Sequence, residues 1–512
     1  LATPQPPATA GDLTPELLGT AEWTDQMVAQ AGIPMHDIPF VTIGGGIGSF
    51  VTVDYLRIYG VPTSQMRVLS NIDTPWQTYE FLTRCSQIPR PERIRSDSSS
   101  RPDNIWGFPS YALEEAWREK NLKYLIQVGF LEPIFDDYWT PRAGTVFRNL
   151  EREAKRIGYW DMLIKGQVRM VRKRVGGGYF TVMNPPEGTS PTKRVVFRSR
   201  FVHIAVGYPG LKYLPDLQEF RQKYGDFTHV VNAYEPHEHV YEFLKTRPGT
   251  VVVRGGGIVA SRVLQRLFDD REKFNLQTQV IHIFRTFVTG SHGPHIWMRR
   301  KGGDGWAYQG FNYPKSVWGG QLKAEMRKLE GEARRQKYKD MGGTNTPKRR
   351  RWQEQMKAGR AGGYYHPFQG VVERVEPTSD GKLVSHVRSN DGTIRQPVSD
   401  FIIDCTGLEA DIAEHRLFAD LLQYSGAYRN PVGRLEVERH FEVKGTASGN
   451  GALYASGSAT LGGYFPGVDT FLGLQVAAQE IADDLAKRGF CRKMGPLRST
   501  AQWFKWAFNK PV

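Results

Sequence analysis

Cysteine is nearly absent: only Cys85, Cys405 and Cys491 occur, far apart and never as a Cys-x-x-Cys pair. That scarcity argues against a zinc knuckle, a dithiol redox centre and a secreted disulfide framework, and it suits a reducing, cytoplasmic setting. Long apolar runs are missing too. No uninterrupted stretch approaches the roughly 18–20 residues that cross a bilayer, so no membrane span is expected. The first residues, LATPQPPATAGDLTP, have no initiating Met, no basic start and no apolar run of the kind a signal peptide carries. They read as a Pro-rich tail, spanning 1–36, with a processed or trimmed start. Acidic residues are in deficit: 53 Asp and Glu face 68 Lys and Arg, for a net charge of +15. This raises nucleic acid, an anionic membrane surface or an anionic ligand as partners. What is present is core material. A chain of 512 residues that is 40% hydrophobic and 24% charged is folded, enzyme-sized and too long for one hydrophobic core, so two or three domains are expected.

Glycine marks the first candidate site. In FVTIGGGIGSFVTVDYL, residues 40–56, a short β-prone run is followed by glycines and then by a helix-like apolar pattern. Gly44 permits a sharp turn out of the strand, and Gly46 removes the side chain that would keep a pyrophosphate from the helix start, where free N–H groups and the positive dipole end point. Ser49, the third position of the G-x-G-x-x-G spacing, is small enough for helix and strand to approach closely. The following strand-like run, MRVLS, ends at Ser70 and Asn71 with Asp73 beyond. No acid stands at the strand end, where one ordinarily holds a ribose; a hydroxyl, an amide or Asp73 is left for that contact.

A second copy follows. TVVVRGGGIVASRVLQRLF, residues 250–268, repeats strand, loop and helix, with Gly255, Gly257 and Ala260 at the same spacing. The next strand, QVIHIF, ends at Arg285, a cation that suits a ribose 2'-phosphate, with Ser261 and Arg262 at the helix start beside it. These residues favour NADP over NAD. Between the two loops lie an amphipathic helix near 147–158 and alternating strand-like runs with a Gly-rich hairpin at 176–178; a similar meander precedes Gly407. The order predicts an α/β fold with two Rossmann-like dinucleotide-binding domains and β-meander connections, one domain inserted into the other.

Gly44-Gly45-Gly46-Ile47-Gly48-Ser49, Ala205-Val206-Gly207, Gly255-Gly256-Gly257-Ile258-Val259-Ala260, Cys405-Thr406-Gly407 and Leu453-Tyr454-Ala455-Ser456-Gly457 occur in this order across residues 38–487. In that arrangement the chain resembles the flavoproteins with two dinucleotide-binding domains, the group that holds disulfide reductases and flavin-containing or class B monooxygenases. VGYPGLKYLPDLQEF resembles the approach segment of the monooxygenases, and Gly225 and His229 match part of their G-x-x-x-H segment, although Ala233 stands at the usual Trp and Lys223 at the leading Phe. The resemblance implies that the split domain holds FAD, in two parts over 37–210 and 401–490. It also implies that the inserted domain, 211–400, holds the nicotinamide nucleotide, and it leaves 491–512 as a C-terminal extension. By the same resemblance Gly44, Gly46, Ile47, Gly48, Ser49, Ser70, Asn71 and Asp73 contact FAD. Gly457 is followed by Ser458 where the family has Asp, and the last helix starts near Asp469 and Thr470, at the flavin pyrimidine end.

The expected activity is hydride transfer from NADPH to FAD, most naturally with monooxygenase chemistry on a small organic substrate. Alternatives are a reductase or dehydrogenase with a quinone or protein acceptor, an RNA-acting flavoprotein, and a sensor or assembly factor. The latter two would use a basic segment at 321–360, inside an insert near 321–362, with thirteen Lys or Arg against five Asp or Glu. That segment reads as a solvated helix pair with a flexible insert or as a docking surface for an acidic partner; nucleic acid is the less favoured partner. Trp297, Trp306, Tyr308, Phe311, Tyr313 and Trp318 are candidates for a substrate wall or an aromatic core, and RIRSDSSSR at 93–101 for a flavin contact or a polar surface loop. His292 and His295 lack a third ligand type, so no metal is expected. No residue is assigned as catalytic.

Overall fold

The computed structural model describes residues 11–94, 111–131, 141–208, 210–291, 301–308, 321–341, 346, 349–408, 411–465 and 467–512. Its framework is a pair of five-stranded parallel sheets. In the first, the spatial order is Ala452–Ala455, Phe201–Ile204, Phe40–Ile43, Met66–Ser70, Leu163–Lys165. The second runs Val230–Asn232, Phe401–Asp404, Thr250–Arg254, Gln279–Phe284, Tyr365–Gln369. Every strand of the second sheet lies, in chain order, between the fourth and fifth strands of the first. The chain therefore leaves the first sheet at Ile204, builds the second, and returns at Ala452.

Apolar strands buried on both faces explain why these runs pair in parallel. Phe40–Ile43, Phe201–Ile204 and Ala452–Ala455 are buried at every position. Helix Ile47–Ile58 covers one face together with Phe471–Lys487 and Ala143–Ile157, contributing Phe50, Val53, Leu56, Leu150 and Ile481 to one core. Helix Ile258–Phe274 plays the same part on the second sheet through Val263, Leu264 and Leu267. The expected meanders are Gln167–Arg174, Tyr179–Asn184 and Val195–Ser199 in the first unit, and Val371–Pro377 with Leu383–Arg388 in the second.

Two stretches differ from expectation. Residues 11–36 are not a tail: Glu22–Trp23 and Met35–Asp37 add parallel strands to the two edges of the first meander sheet, and Trp23 is fully buried against Phe180. Proline content dominated the reading and hid the apolar anchors Leu17, Trp23, Val28 and Ile33. Phe401–Asp404, assigned to the second FAD part, pairs instead with Val230–Asn232 and Thr250–Arg254, so the second sheet takes it and its Thr-Gly turn. The C-terminal helix Pro496–Ala507 seats Trp506 beside Tyr111. Among the described residues no helix is long and apolar enough to cross a membrane.

Candidate functional site

Backbone geometry at the first loop separates three glycine roles. Gly44 has φ +97°, and a Cβ there would stand 2.4 Å from the Ala205 carbonyl oxygen. Gly45 touches the end of the next strand: its Cβ would meet Ser70 Oγ at 2.5 Å. Gly46 is different. A Cβ there would meet nothing within 4 Å, so this glycine leaves the outer face of the turn open. It is also the N-cap of helix Ile47–Ile58 and supplies no side-chain cap, which leaves first-turn N–H groups for an anion. Gly48 is in close approach to Ala205 and Leu474 and Ser49 is fully buried, as close helix–strand packing requires.

The second loop repeats this. Gly255 has φ +128° with a would-be Cβ 2.7 Å from the Cys405 carbonyl oxygen, Gly257 is an N-cap without a side-chain cap, and Ala260 is buried. At both sites the residues present fit a diphosphate on a helix N-terminus.

A buried histidine supports each loop, and sequence reasoning missed both. Register places His203 opposite Thr42 and Tyr454. Thr42 Oγ1 donates to Ser49 Oγ (2.9 Å), His203 Nδ1 lies 2.9 Å from Thr42 Oγ1, and His203 Nε2 lies 2.9 Å from Ser456 Oγ. Because the Thr42 proton is committed to Ser49, Nδ1–H donates to Thr42 and Nε2 accepts from Ser456, which describes a neutral ring. Burial lowers the His203 pKa to about 3. A hydrogen-bonded line thus runs from the first loop's helix to the residue before Gly457. In the second sheet His282 Nε2 donates to the Gly255 carbonyl oxygen (2.6 Å), its Nδ1 accepts from Tyr365 Oη (2.9 Å), and burial lowers its pKa to about 4. The available signal was a polar residue inside an otherwise apolar strand, as in FVHI and QVIHIF.

The remaining expected contacts divide. Ser70 and Asn71 line a cavity beside the first loop; Asp73 does not, and pairs with Lys165 at 2.6 Å. Ser458 is buried and donates to the Gly207 carbonyl oxygen (2.8 Å), tying the two strand ends together. Thr470 is the N-cap of Phe471–Lys487, accepting from Gly473 N. Arg285 is exposed at its strand end. Arg262 is not: it is buried, donates to the Gln87 carbonyl oxygen at 3.1 Å and forms an ion pair with Glu92. Ser261 is likewise engaged, donating to Ile258 O (2.6 Å) and accepting from Thr346 Oγ1 (2.9 Å) and Arg349. Both residues fasten the helix to neighbouring segments.

Arg93 pairs with Glu115 and Tyr124. Trp306 and Tyr308 belong to the core around His282, with Trp306 edge-on to Trp352 at 4.8 Å. Trp297, Phe311, Tyr313, Trp318, His292, His295 and residues 95–101 lie outside the described residues. The three thiols are kept protonated by burial, which raises the pKa of Cys85, pushes Cys491 to about 12 and Cys405 well above its ordinary value. In the basic segment, Arg334 is buried in an ion pair with Glu436 (2.6 Å), Arg327 pairs with Glu480, and Trp352 is fully buried. Part of its charge is spent holding it to the rest of the chain.

No protein-family model and no curated protein matches the sequence. Solved structures do match across nearly the whole chain. An ornithine N-hydroxylase from Kutzneria sp. 744, with reduced FAD, NADP+ and L-ornithine, aligns with TM-score 0.64 and 13% identity over 89% of this chain and 100% of its own. L-lysine 6-monooxygenase from Pseudomonas syringae gives TM-score 0.63 and 15% identity, over 88% and 99%. A bacillithiol disulfide reductase from Bacillus cereus is more distant, at TM-score 0.52 and 12% identity over 88% and 100%. The chain has the fold of flavoproteins with two dinucleotide-binding domains.

Proposed function

We propose that the chain is an NADPH-dependent FAD oxidoreductase, with FAD on the first loop, NADPH on the second, and monooxygenase chemistry on a small organic substrate in the cytoplasm. The observation that carries this reading is the pair of uncapped helix N-termini behind bare glycine turns, one on each parallel sheet, with the outer face open at Gly46. When bound, FAD accepts a hydride from NADPH and supplies electrons to the second substrate.

The chain's residues perform the binding and positioning. Gly44 and Gly255 set each turn, and the helix N-termini face the diphosphates. His203 and His282, neutral and buried, fix the strand ends beneath them without adding charge. Arg285 supplies the cation for the 2'-phosphate. The disulfide route is disfavoured by three separated thiols, two of them buried, whose pKa values burial raises. Primary amines are the substrates to try first, since the ornithine and lysine enzymes share the fold.

The test is anaerobic addition of NADPH or NADH to the flavin-loaded protein, followed by air with and without an amine. Bleaching by NADPH well ahead of NADH, and oxygen incorporation into the amine, are expected. Bleaching without oxygen incorporation would leave a reductase with another acceptor. Bleaching by neither would remove the role of the second loop.

A further inference from the structure

A cavity of about 320 Å³ opens beside the first loop, at the carboxyl ends of Phe40–Ile43 and Met66–Ser70. In a dinucleotide-binding fold this corner, next to the end of the second strand, receives the adenosine ribose, and an acid ordinarily ends that strand. Here Ser70 and Asn71 stand at the wall and Asp73 is turned away to Lys165. The cavity presents cations instead.

Arg169 and Arg416 both line it. Strand Gln167–Arg174 carries three arginines. Arg172 pairs with Asp420 and Arg174 with Asp25. Among the described residues Arg169 forms no ion pair of this kind, and its Nε is closed off from solvent without an acceptor. Burial is the larger cause lowering the Arg169 pKa; Arg416, at the start of the helix that packs on this strand, and Arg194 lower it further, and Asp12 opposes them more weakly. Arg194 is drawn off toward Asp12 at 3.3 Å. Glu414, the one carboxylate among the described lining residues, is exposed, as is Arg416. Two guanidinium groups on the wall of one open cavity, one with a stranded donor, suit phosphate and ribose oxygens.

Resting on the FAD assignment above, we infer that this cavity is the adenosine subsite of the first loop and that Arg169 and Arg416 hold the nucleotide there in place of the usual acid. Their N–H groups donate to the 5'-phosphate and ribose oxygens, and the corner tolerates a further phosphate on the ribose. A carboxylate at this place would repel one.

The experiment measures FAD and FMN binding by flavin fluorescence in the flavin-depleted full chain and in the Arg169→Gln/Arg416→Gln variant, with AMP and adenosine 2',5'-bisphosphate as competitors. The variant is expected to bind FAD at least tenfold more weakly while FMN, which lacks adenosine, binds both proteins alike. The bisphosphate should displace FAD from the unaltered chain at lower concentration than AMP, and lose that advantage in the variant. Unchanged circular dichroism and NADPH affinity verify that the variant is folded. Equal FAD affinity in both proteins, or AMP outcompeting the bisphosphate, would overturn the inference. If the unaltered chain took up neither flavin, the FAD assignment itself would fall. AMP calorimetry would then decide the cavity: heat lost in the variant supports it, and equal heat rejects it.

Discussion

The three adjacent glycines of the first loop make different demands, and single substitutions separate them. Gly44→Ala adds a Cβ 2.4 Å from a carbonyl oxygen at a left-handed φ. It is expected to destabilise the fold by about 1–3 kcal/mol and to abolish flavin uptake. Gly46→Ala places its methyl in open space at an extended φ of −79° and ψ of −171°. Stability should stay within about 0.5 kcal/mol while FAD affinity falls at least tenfold; thermal melts beside flavin titrations check both. If Gly46→Ala bound FAD normally, nothing would be approaching that face. The buried histidines make a pH prediction. Folded, His203 and His282 titrate at about 3 and about 4, below their ordinary 6.5. The unfolded chain therefore holds more protons as the pH drops through 6.5, and stability is lost on acidification. Each contributes a slope of about 1.4 kcal/mol per pH unit until its folded pKa is reached. Denaturant midpoints between pH 7 and 4 measure this, and His203→Gln should flatten the curve. A residue's type and spacing pointed to the left-handed turns at Gly44 and Gly255 and to the bare face at Gly46. They did not reveal that Arg262, Ser261 and Asp73 were already engaged, because Glu92, Thr346 and Lys165 lie far away in sequence.

At the scale of elements, parallel strands were legible because burial on both faces leaves an apolar run between turn residues, as in FVTI and TVVV. Short edge strands carry no such signal: Glu22–Trp23 and Met35–Asp37 exist through pairing partners more than a hundred residues away. Membership of Phe401–Asp404 in the second sheet was hidden for a related reason, since pairing and not local pattern decides it. Helix Ile258–Phe274, packed on the second sheet, also holds a segment that follows the first loop. Arg262 reaches Gln87 and Glu92, and Arg266 reaches Gln87, all far away in the chain. Arg262→Ala is expected to lower the melting temperature by several degrees and leave the preference for NADPH over NADH intact. Arg285→Ala should do the reverse, raising the KM for NADPH about tenfold with NADH unaffected and stability unchanged. A collapse of the preference in Arg262→Ala would return that arginine to the phosphate site.

For the whole molecule, chain order was the strongest guide: two loops of one kind, separated and followed by meanders, imply one sheet interrupted by another, and the strand orders observed have that form. The net charge of +15 was less informative. Arg334 and Arg327 of the basic segment are consumed in ion pairs with Glu436 and Glu480, and such burial leaves no mark on a charge count. The account turns on a bare backbone turn holding the diphosphate of a flavin nucleotide. Its most direct measurement is FAD stoichiometry: the purified chain, incubated with excess FAD and desalted, should be yellow with one flavin per polypeptide, and its Gly44→Ala variant colourless. A chain that stays colourless after this treatment would contradict it.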